Sequence, residues 1–284
     1  MKLWAHRGCS QRYPENTLLA FEKAAQLHGL AGIELDIQLT KDGQIVVIHD
    51  EKVDRTTDGS GWVRDYTLAE LKRLKIDAGC YPHQIIPTME EVFELLEERL
   101  KAGAESGTGA GAESGTEAGA AAGTAAGTDT GSKTGLKPGK MAGLRLNIEL
   151  KNSILPYDGM EEKIIDMVHD RGLEGAVVYS TFWARSLEKI HYLDPEAELG
   201  ILDTRISDCM YKLKGGCGAT ALHPFWRAMD LPAEQLRGYT VRAWMSGHLY
   251  PEKSTGARLD FKRIGAMGIT DLILNEPEVY VGTD

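Results

Sequence analysis

The feature that most restricts the fold of this chain is a period-two alternation that makes one face of a strand apolar and loads the other with charge. Residues 33–37 read Ile33-Glu34-Leu35-Asp36-Ile37, and residues 146–151 read Leu146-Asn147-Ile148-Glu149-Leu150-Lys151. Successive strand side chains point to opposite faces. Glu34 and Asp36 therefore share one face and Ile33, Leu35 and Ile37 the other; Asn147, Glu149 and Lys151 likewise oppose Leu146, Ile148 and Leu150. An apolar sheet face has to be covered by another layer. The pattern predicts further strands at 2–5, 44–48, 176–180, 199–202, 219–222, 239–244 and 271–274. It predicts helices at 15–28, 67–74, 89–100, 158–171, 183–192 and 259–267, a short helix around 233–237, and a turn at His223-Pro224. Strands alternating with helices imply a parallel sheet with helical crossovers. With about eight strands, an α/β fold closed as a TIM (β/α)8 barrel is the expected architecture, and a doubly wound open sheet is the alternative. Residues 44–48 are either a barrel strand or one arm of a hairpin-like excursion.

One segment stands apart. Of the 34 residues from 102 to 135, 10 are Gly, 10 are Ala and 9 are Ser or Thr, and the hexamer GAESGT occurs twice. Without Val, Leu, Ile or an aromatic residue it cannot bury enough apolar area to offset its ordering entropy. It reads as a flexible, low-complexity loop inserted into a single domain spanning 1–284. Without it about 250 residues remain, the usual size of a (β/α)8 barrel.

The chain carries 32 Lys and Arg against 42 Asp and Glu, a formal charge of −10. Nucleic-acid binding through counterion release needs the opposite balance. No apolar run is long enough for a membrane span, and the first residues lack the apolar core of a signal peptide. Cys9, Cys80, Cys209 and Cys217 form no C-x-x-C pair. They read as reduced thiols of a cytoplasmic protein and are given no function.

In a parallel barrel the charged faces would point into the lumen, and Glu34, Asp36 and Glu149 would converge at the strand C-terminal ends, where barrel enzymes place their sites. Buried anions repel one another unless a cation joins them. An all-oxygen set suits one hard divalent ion, Mg2+ or Ca2+, better than zinc. Arg7 and Lys151 add positive charge suited to an anionic substrate, with phosphate the obvious candidate. His6 and His49, at the ends of the first and third strands, can move protons near neutral pH, as cleavage of a phosphodiester requires. Asp50 beside His49 is a candidate orienting partner, although neighbouring strand residues usually face apart. Each motif alone also has a structural reading: a satisfied histidine, a solvated Glu-x-Asp edge, an ordinary Glu149–Lys151 ion pair. Their joint occurrence at strand ends favours chemistry.

The pattern His6-Arg7-Gly8, Pro14-Glu15-Asn16-Thr17, Glu34-Leu35-Asp36, Thr40-Lys41-Asp42-Gly43, Val47-Ile48-His49-Asp50 and Glu149-Leu150-Lys151 resembles the glycerophosphodiester phosphodiesterase family. The resemblance covers about residues 1–101 and 141–281. It implies a TIM-barrel, metal-dependent hydrolase releasing sn-glycerol 3-phosphate and an alcohol, with a small-molecule glycerophosphodiester as its partner. By motif match Glu34, Asp36 and Glu149 would hold the metal, His6 and His49 would be the acid/base pair, and Arg7 and Lys151 would contact phosphate. Residues 51–87 would supply the family's excursion after the third strand, and Glu15 and Asn16 would brace the first strand–helix loop. Two runs depart from the family pattern: Trp244-Met245-Ser246, where an Asn usually follows the Trp, and Leu274-Asn275-Glu276-Pro277, where a Thr-Asp is usual. Trp244 is a candidate pocket wall. A lysophospholipase D-like or phospholipase D-like phosphodiesterase is the alternative, with an exposed apolar rim as its mark. A non-catalytic phosphodiester-binding scaffold is the remoter one, and it would have no need for a buried carboxylate cluster.

Overall fold

The computed structural model describes residues 1–107, 143–246 and 257–281. Among them one sheet contains β1 (Lys2–His6), β2 (Gly32–Leu39), β3 (Ile45–Val47), β4 (Arg145–Leu150), β5 (Val177–Thr181), β6 (Glu198–Asp203), β7 (Ala221–Pro224), β8 (Thr240–Trp244) and β9 (Asp271–Leu274). Eight strands are parallel, and the sheet closes because β1 pairs with both β2 and β9. The closed TIM barrel is thus the architecture, and the open sheet is excluded. The helices are α1 (Leu18–Ala25), α2 (Leu68–Leu71), α3 (Met89–Gly107), α4 (Met160–His169), α5 (Ala184–Leu193), α6 (Ile206–Lys214) and α7 (Phe261–Ala266). Ile33, Leu35 and Ile37 of β2 and Leu146, Ile148 and Leu150 of β4 are buried in one core between barrel and helices.

β3 settles the ambiguity over 44–48. It runs antiparallel to β2, with Ile37 opposite Val47 and Leu39 opposite Ile45, so it is a hairpin arm and not a barrel stave. The excursion that follows builds a small core of its own from Val46, Ile48, Val53, Val63, Leu71, Ile76 and Ile86.

Four local expectations are corrected. The first helix starts at Leu18, not at residue 15, because Thr17 caps it through a hydroxyl that accepts from Ala20 N. His223 and Pro224 close β7 rather than turn: the parallel register sets Leu202 beside His223 and Asp203 beside Pro224, and a terminal Pro forgoes only one ladder bond. α6 was not expected, although Ile206, Cys209, Met210 and Leu213 have helical spacing. Its start lacks a local cap; Asp230, distant in sequence, accepts from Ser207 N at 3.0 Å and Ser207 Oγ at 2.8 Å. Finally, α3 runs through the first residues of the low-complexity segment. Gly103 lies so close to Gly143 and Leu144 that a Cβ there would stand 2.2 Å from the Leu144 carbonyl oxygen, so glycine here is a packing requirement. Residues 108–135 of the expected insertion lie outside the described residues.

The lower lumen is filled by a layer of charges paired with one another. Arg242, 2% exposed, lies over the Trp4 ring at 4.3 Å, donates to Glu198 Oε1 at 3.1 Å and to His223 Nε2 at 2.9 Å. Trp4 Nε1 donates to Asp271 at 3.0 Å, and Arg145 bonds Glu198 at 2.6 Å. Burial and the Arg242 charge hold the His223 pKa well below the ordinary value, so its ring stays neutral and accepts at Nε2.

Two predictions follow from packing. Arg242→Ala strands buried partners and should lower the unfolding free energy by roughly 3–5 kcal/mol, read as a shift in the urea midpoint. Because Gly103 and Gly143 meet, replacing residues 108–140 by a short Gly/Ser linker should leave that midpoint unchanged.

Candidate active site

Strand register brings the acidic residues together. His6 lies beside Glu34, Glu34 beside Asn147, and Asp36 beside Glu149. Glu34, Asp36 and Glu149 are all buried, and each offers an oxygen within 4.8 Å of the others. Glu34 Oε1 and Asp36 Oδ1 have no hydrogen-bond partner among the described residues. Burial, with the charges of Asp36 and Glu149, pushes the Glu34 carboxyl well above its ordinary pKa. Burial also raises Glu149, reinforced by Asp36 and opposed by Lys151. Burial works against Asp36 too, but Arg7, His49, Lys151 and the Asn16 amide outweigh it and hold that carboxyl low. Unpaired oxygens, mutual repulsion and an all-oxygen donor set fit a hard metal ion at this triad.

The β1–α1 loop supplies the cationic wall. Arg7 and Asn16 are the non-glycine residues at positive φ among those described, at 57° and 54°. Such backbone is costly for an arginine and marks a constrained site. Arg7 N donates to Glu34 O at 2.9 Å and to Glu34 Oε2 at 3.0 Å, and Asn16 N donates to Arg7 O at 3.1 Å. Gly8 follows because a Cβ there would lie 2.7 Å from the Ala20 backbone. The Arg7 guanidinium reaches Asp36 at 3.2 Å and Glu15 at 2.9 Å. Asn16 Nδ2 donates to Asp36 Oδ2 at 2.8 Å. Glu15 and Asn16 therefore brace the loop and touch the site directly.

The two histidines arrive by different routes. His6 ends β1, and its Nδ1 stands 2.6 Å from Asn275 Oδ1 at the end of β9. Burial first, and then Arg7, lowers its pKa to about 3, so it is neutral near pH 7. His49 follows hairpin arm β3, the second of the two readings left open for residues 44–48, and the hairpin returns it to the mouth. Gln38, fully buried, donates to the carbonyls of Ile48, His49 and Asp50 and so fixes the backbone beneath the ring. Asp50, the candidate orienting partner, does meet the ring: β3 has ended at Val47, and Asp50 Oδ1 lies 2.6 Å from His49 Nδ1. Lys151 Nζ stands 3.1 Å from His49 Nε2 and 2.8 Å from Glu149 Oε1. Glu149 and Asp36 hold Lys151 protonated against the effect of burial.

The two histidines, Arg7, Glu34, Glu149 and Lys151 line a cavity of about 130 Å3, whose other side carries the apolar side chains of Phe182, Leu202, Trp244 and Ile273. Trp244 thus forms part of the wall, packed on Phe225 at 4.7 Å. One side of the cavity is ionic and the other apolar.

Comparison with known proteins agrees with this geometry. Residues 6–115 match the Glycerophosphoryl diester phosphodiesterase family. A glycerophosphodiester phosphodiesterase of Caldanaerobacter subterraneus subsp. tengcongensis is 33% identical over 98% of this chain and 95% of its own. This chain belongs to the glycerophosphodiester phosphodiesterase family. As a member it is an enzyme, a phosphoric diester hydrolase. A second family member, from Bacillus altitudinis, is 39% identical over 71% of this chain and 66% of its own. The barrel is also similar to that of an Oleispira antarctica phosphodiesterase solved with the product sn-glycerol-3-phosphate, with a TM-score of 0.65 and 24% identity over 98% of this chain and 94% of that one. Among the described residues no helix is long and apolar enough to cross a membrane.

Sequence reasoning missed Gln38, Asn275 and Arg55. Gln38 continues the Glu34, Asp36 series by one more step of two, so its signal was present. Asn275 was visible only as a departure from the family pattern. Arg55, in irregular chain, had no periodicity to reveal it.

Asp50 gives a pH test. Burial opposes its ionisation, but Arg55 and His49 outweigh burial and bring its pKa to about 2, below the ordinary 3.8. A carboxyl whose folded pKa lies below its unfolded one contributes stability above the unfolded value and loses it as pH falls through the folded one. The stability difference between the parent and Asp50→Asn should therefore be full at pH 7, close between about pH 4 and 2, and be absent below. Acid titration of the urea midpoint measures it, and a gap constant across that window would contradict the assignment.

Proposed function

We propose that this chain hydrolyses glycerophosphodiesters to sn-glycerol 3-phosphate and an alcohol by paired-histidine acid/base catalysis at a metal-bearing mouth. The observation that carries the reading is the pair of imidazoles beside the carboxylate triad, each anchored at Nδ1, His6 by Asn275 and His49 by Asp50. Both rings line the cavity with Nδ1 turned to an anchor, and Nε2 of His49 stands 3.1 Å from Lys151 Nζ, the amine that a bound phosphate would draw to itself.

Glu34, Asp36 and Glu149 would hold one divalent ion, Mg2+ or Ca2+ by their hard oxygen chemistry. When bound, the ion supplies Lewis-acid polarisation of a phosphoryl oxygen. Arg7 and Lys151 bind the remaining phosphoryl oxygens and stabilise the charge that builds there in the transition state. His6, neutral beside Arg7 and hydrogen-bonded to an amide, takes the proton of the attacking oxygen at Nε2. His49, held at Nδ1 by Asp50, is the general acid that protonates the leaving alkoxide. Attack forms one P–O bond and departure breaks another, while one proton passes from the attacking oxygen to His6 and one from His49 to the leaving oxygen. A cyclic phosphate product would identify the glycerol 2-hydroxyl as the attacking group; its absence, water.

The small cavity supports a head-group substrate, since drug-sized ligands occupy roughly 300–1,000 Å3. The apolar wall with Trp244 suits the carbon face of glycerol. A lysolipid is the second reading, favoured by the exposure of Ile154 and Trp183 on the loops after β4 and β5, the mouth side of the barrel. Four free thiols, at Cys9, Cys80, Cys209 and Cys217, support a reducing, cytoplasmic setting.

The deciding assay follows release of glycerol 3-phosphate from glycerophosphocholine, glycerophosphoethanolamine and lysophosphatidylcholine, with Mg2+, Ca2+ or chelator. Turnover is expected with the first two, lost in chelator and restored by one of the ions. His6→Ala and His49→Ala should each lower kcat by about 10²–10⁴-fold. Undiminished turnover in either variant would remove that residue from its role. Faster turnover of the lysolipid than of either head-group diester would select the second reading.

A further inference from the structure

We infer that Arg55, supplied by the excursion and not by the barrel, is a positioning residue that holds Asp50, and through it the His49 ring, in register with the phosphate-binding arginine. The inference rests on the histidine reading above. Its geometry is a double fork. Arg55 Nε and Nη2 donate to the two oxygens of Asp50 at 2.7 and 3.0 Å. Nη1 and Nη2 donate to the two oxygens of Glu15 at 2.8 and 2.7 Å. One planar guanidinium thereby bridges two carboxylates, each of which touches a site residue: Asp50 the Nδ1 of His49 at 2.6 Å, Glu15 the Arg7 guanidinium at 2.9 Å. The chain of ion pairs runs on from Arg7 to Asp36 at 3.2 Å.

The division between stability and chemistry follows from exposure. Arg55 is 48% exposed, and pairs at that level of solvation contribute little to folding. Orientation is a different quantity. Asp50 can rotate about its own side chain, and the His49 ring turns with it; displacement of a reacting group by about 1 Å can cost on the order of 100-fold in rate. Arg55 fixes the carboxylate from its far side with two parallel bonds, a geometry that only a guanidinium fork provides. Because Arg7 keeps Asp36 and Glu15 when Arg55 is removed, the loss should fall on kcat and not on KM.

The test compares kcat and KM for glycerophosphocholine in the parent, Arg55→Ala, Arg55→Lys, Asp50→Asn, the Arg55→Ala/Asp50→Asn double variant and His49→Ala. Arg55→Ala is expected to lower kcat by about 10–100-fold with KM within about threefold. The double variant should be no more than about twofold slower than Asp50→Asn alone, since residues acting through one another are not additive. Arg55→Lys, which keeps the charge without the fork, should still lose about fivefold or more. A parent-like kcat in Arg55→Ala overturns the inference, as do effects that multiply in the double variant. Should Arg55→Ala fail to fold, a parent-like Arg55→Lys overturns it equally. Full activity in His49→Ala overturns the histidine reading and this inference with it. An inactive His49→Ala beside a fully active Arg55→Ala overturns the inference alone.

Discussion

Repulsion among three buried carboxylates is the constraint on which this site depends. The parallel register places Glu34, Asp36 and Glu149 at neighbouring heights on β2 and β4, buried away from solvent. The fold brings cations close without cancelling the acids. Arg7 and Lys151 approach Asp36 from opposite sides, at 3.2 and 3.9 Å, and keep that one carboxyl ionised. Glu34 and Glu149 are pushed the other way. The resulting electrostatic frustration is what a hard cation would relieve, and buried ionisable groups that are partly satisfied are characteristic of functional sites rather than of cores.

The lumen shows the contrast within one barrel. At the lower end Arg242, Glu198, Arg145, Trp4 and Asp271 form a layer in which the charges find one another, and the ring of His223 is kept neutral. At the mouth, Glu34 Oε1 and Asp36 Oδ1 accept no hydrogen bond from the described residues. The same strands thus provide a stabilising plug at one end and a reactive surface at the other, the division of labour usual for parallel barrels.

How far the sequence foretold this varies with the physics of each part. The lumen-facing acids on β2 and β4 could be read because strand periodicity is rigid, and a period-two rule carries directly into three dimensions. The barrel followed from the alternation of strands and helices. The parts left open or missed were those decided by tertiary contacts. His49 belongs to a hairpin because of pairing with β2, not because of its own residues. α6 takes its cap from Asp230, beyond the window of any local pattern. Asp50 reaches His49 only because the strand geometry that would have separated them has already ended. Arg55 matters through partners at sequence separations of 5 and 40, in a segment with no repeating geometry to betray it.

The hairpin origin of His49 has a consequence for how such an enzyme can change. A barrel stave is locked on two sides, and moving it by one residue would turn its faces inside out. β3 is tied to β2 over a short register, from Ile37–Val47 to Leu39–Ile45, and stands outside the closed ring. A slip of two residues there preserves its faces and carries the imidazole about 7 Å along the mouth, with every barrel strand left in place. The spacing between the two imidazoles is therefore an adjustable dimension of the architecture, open to change without rebuilding the wall that holds the acids.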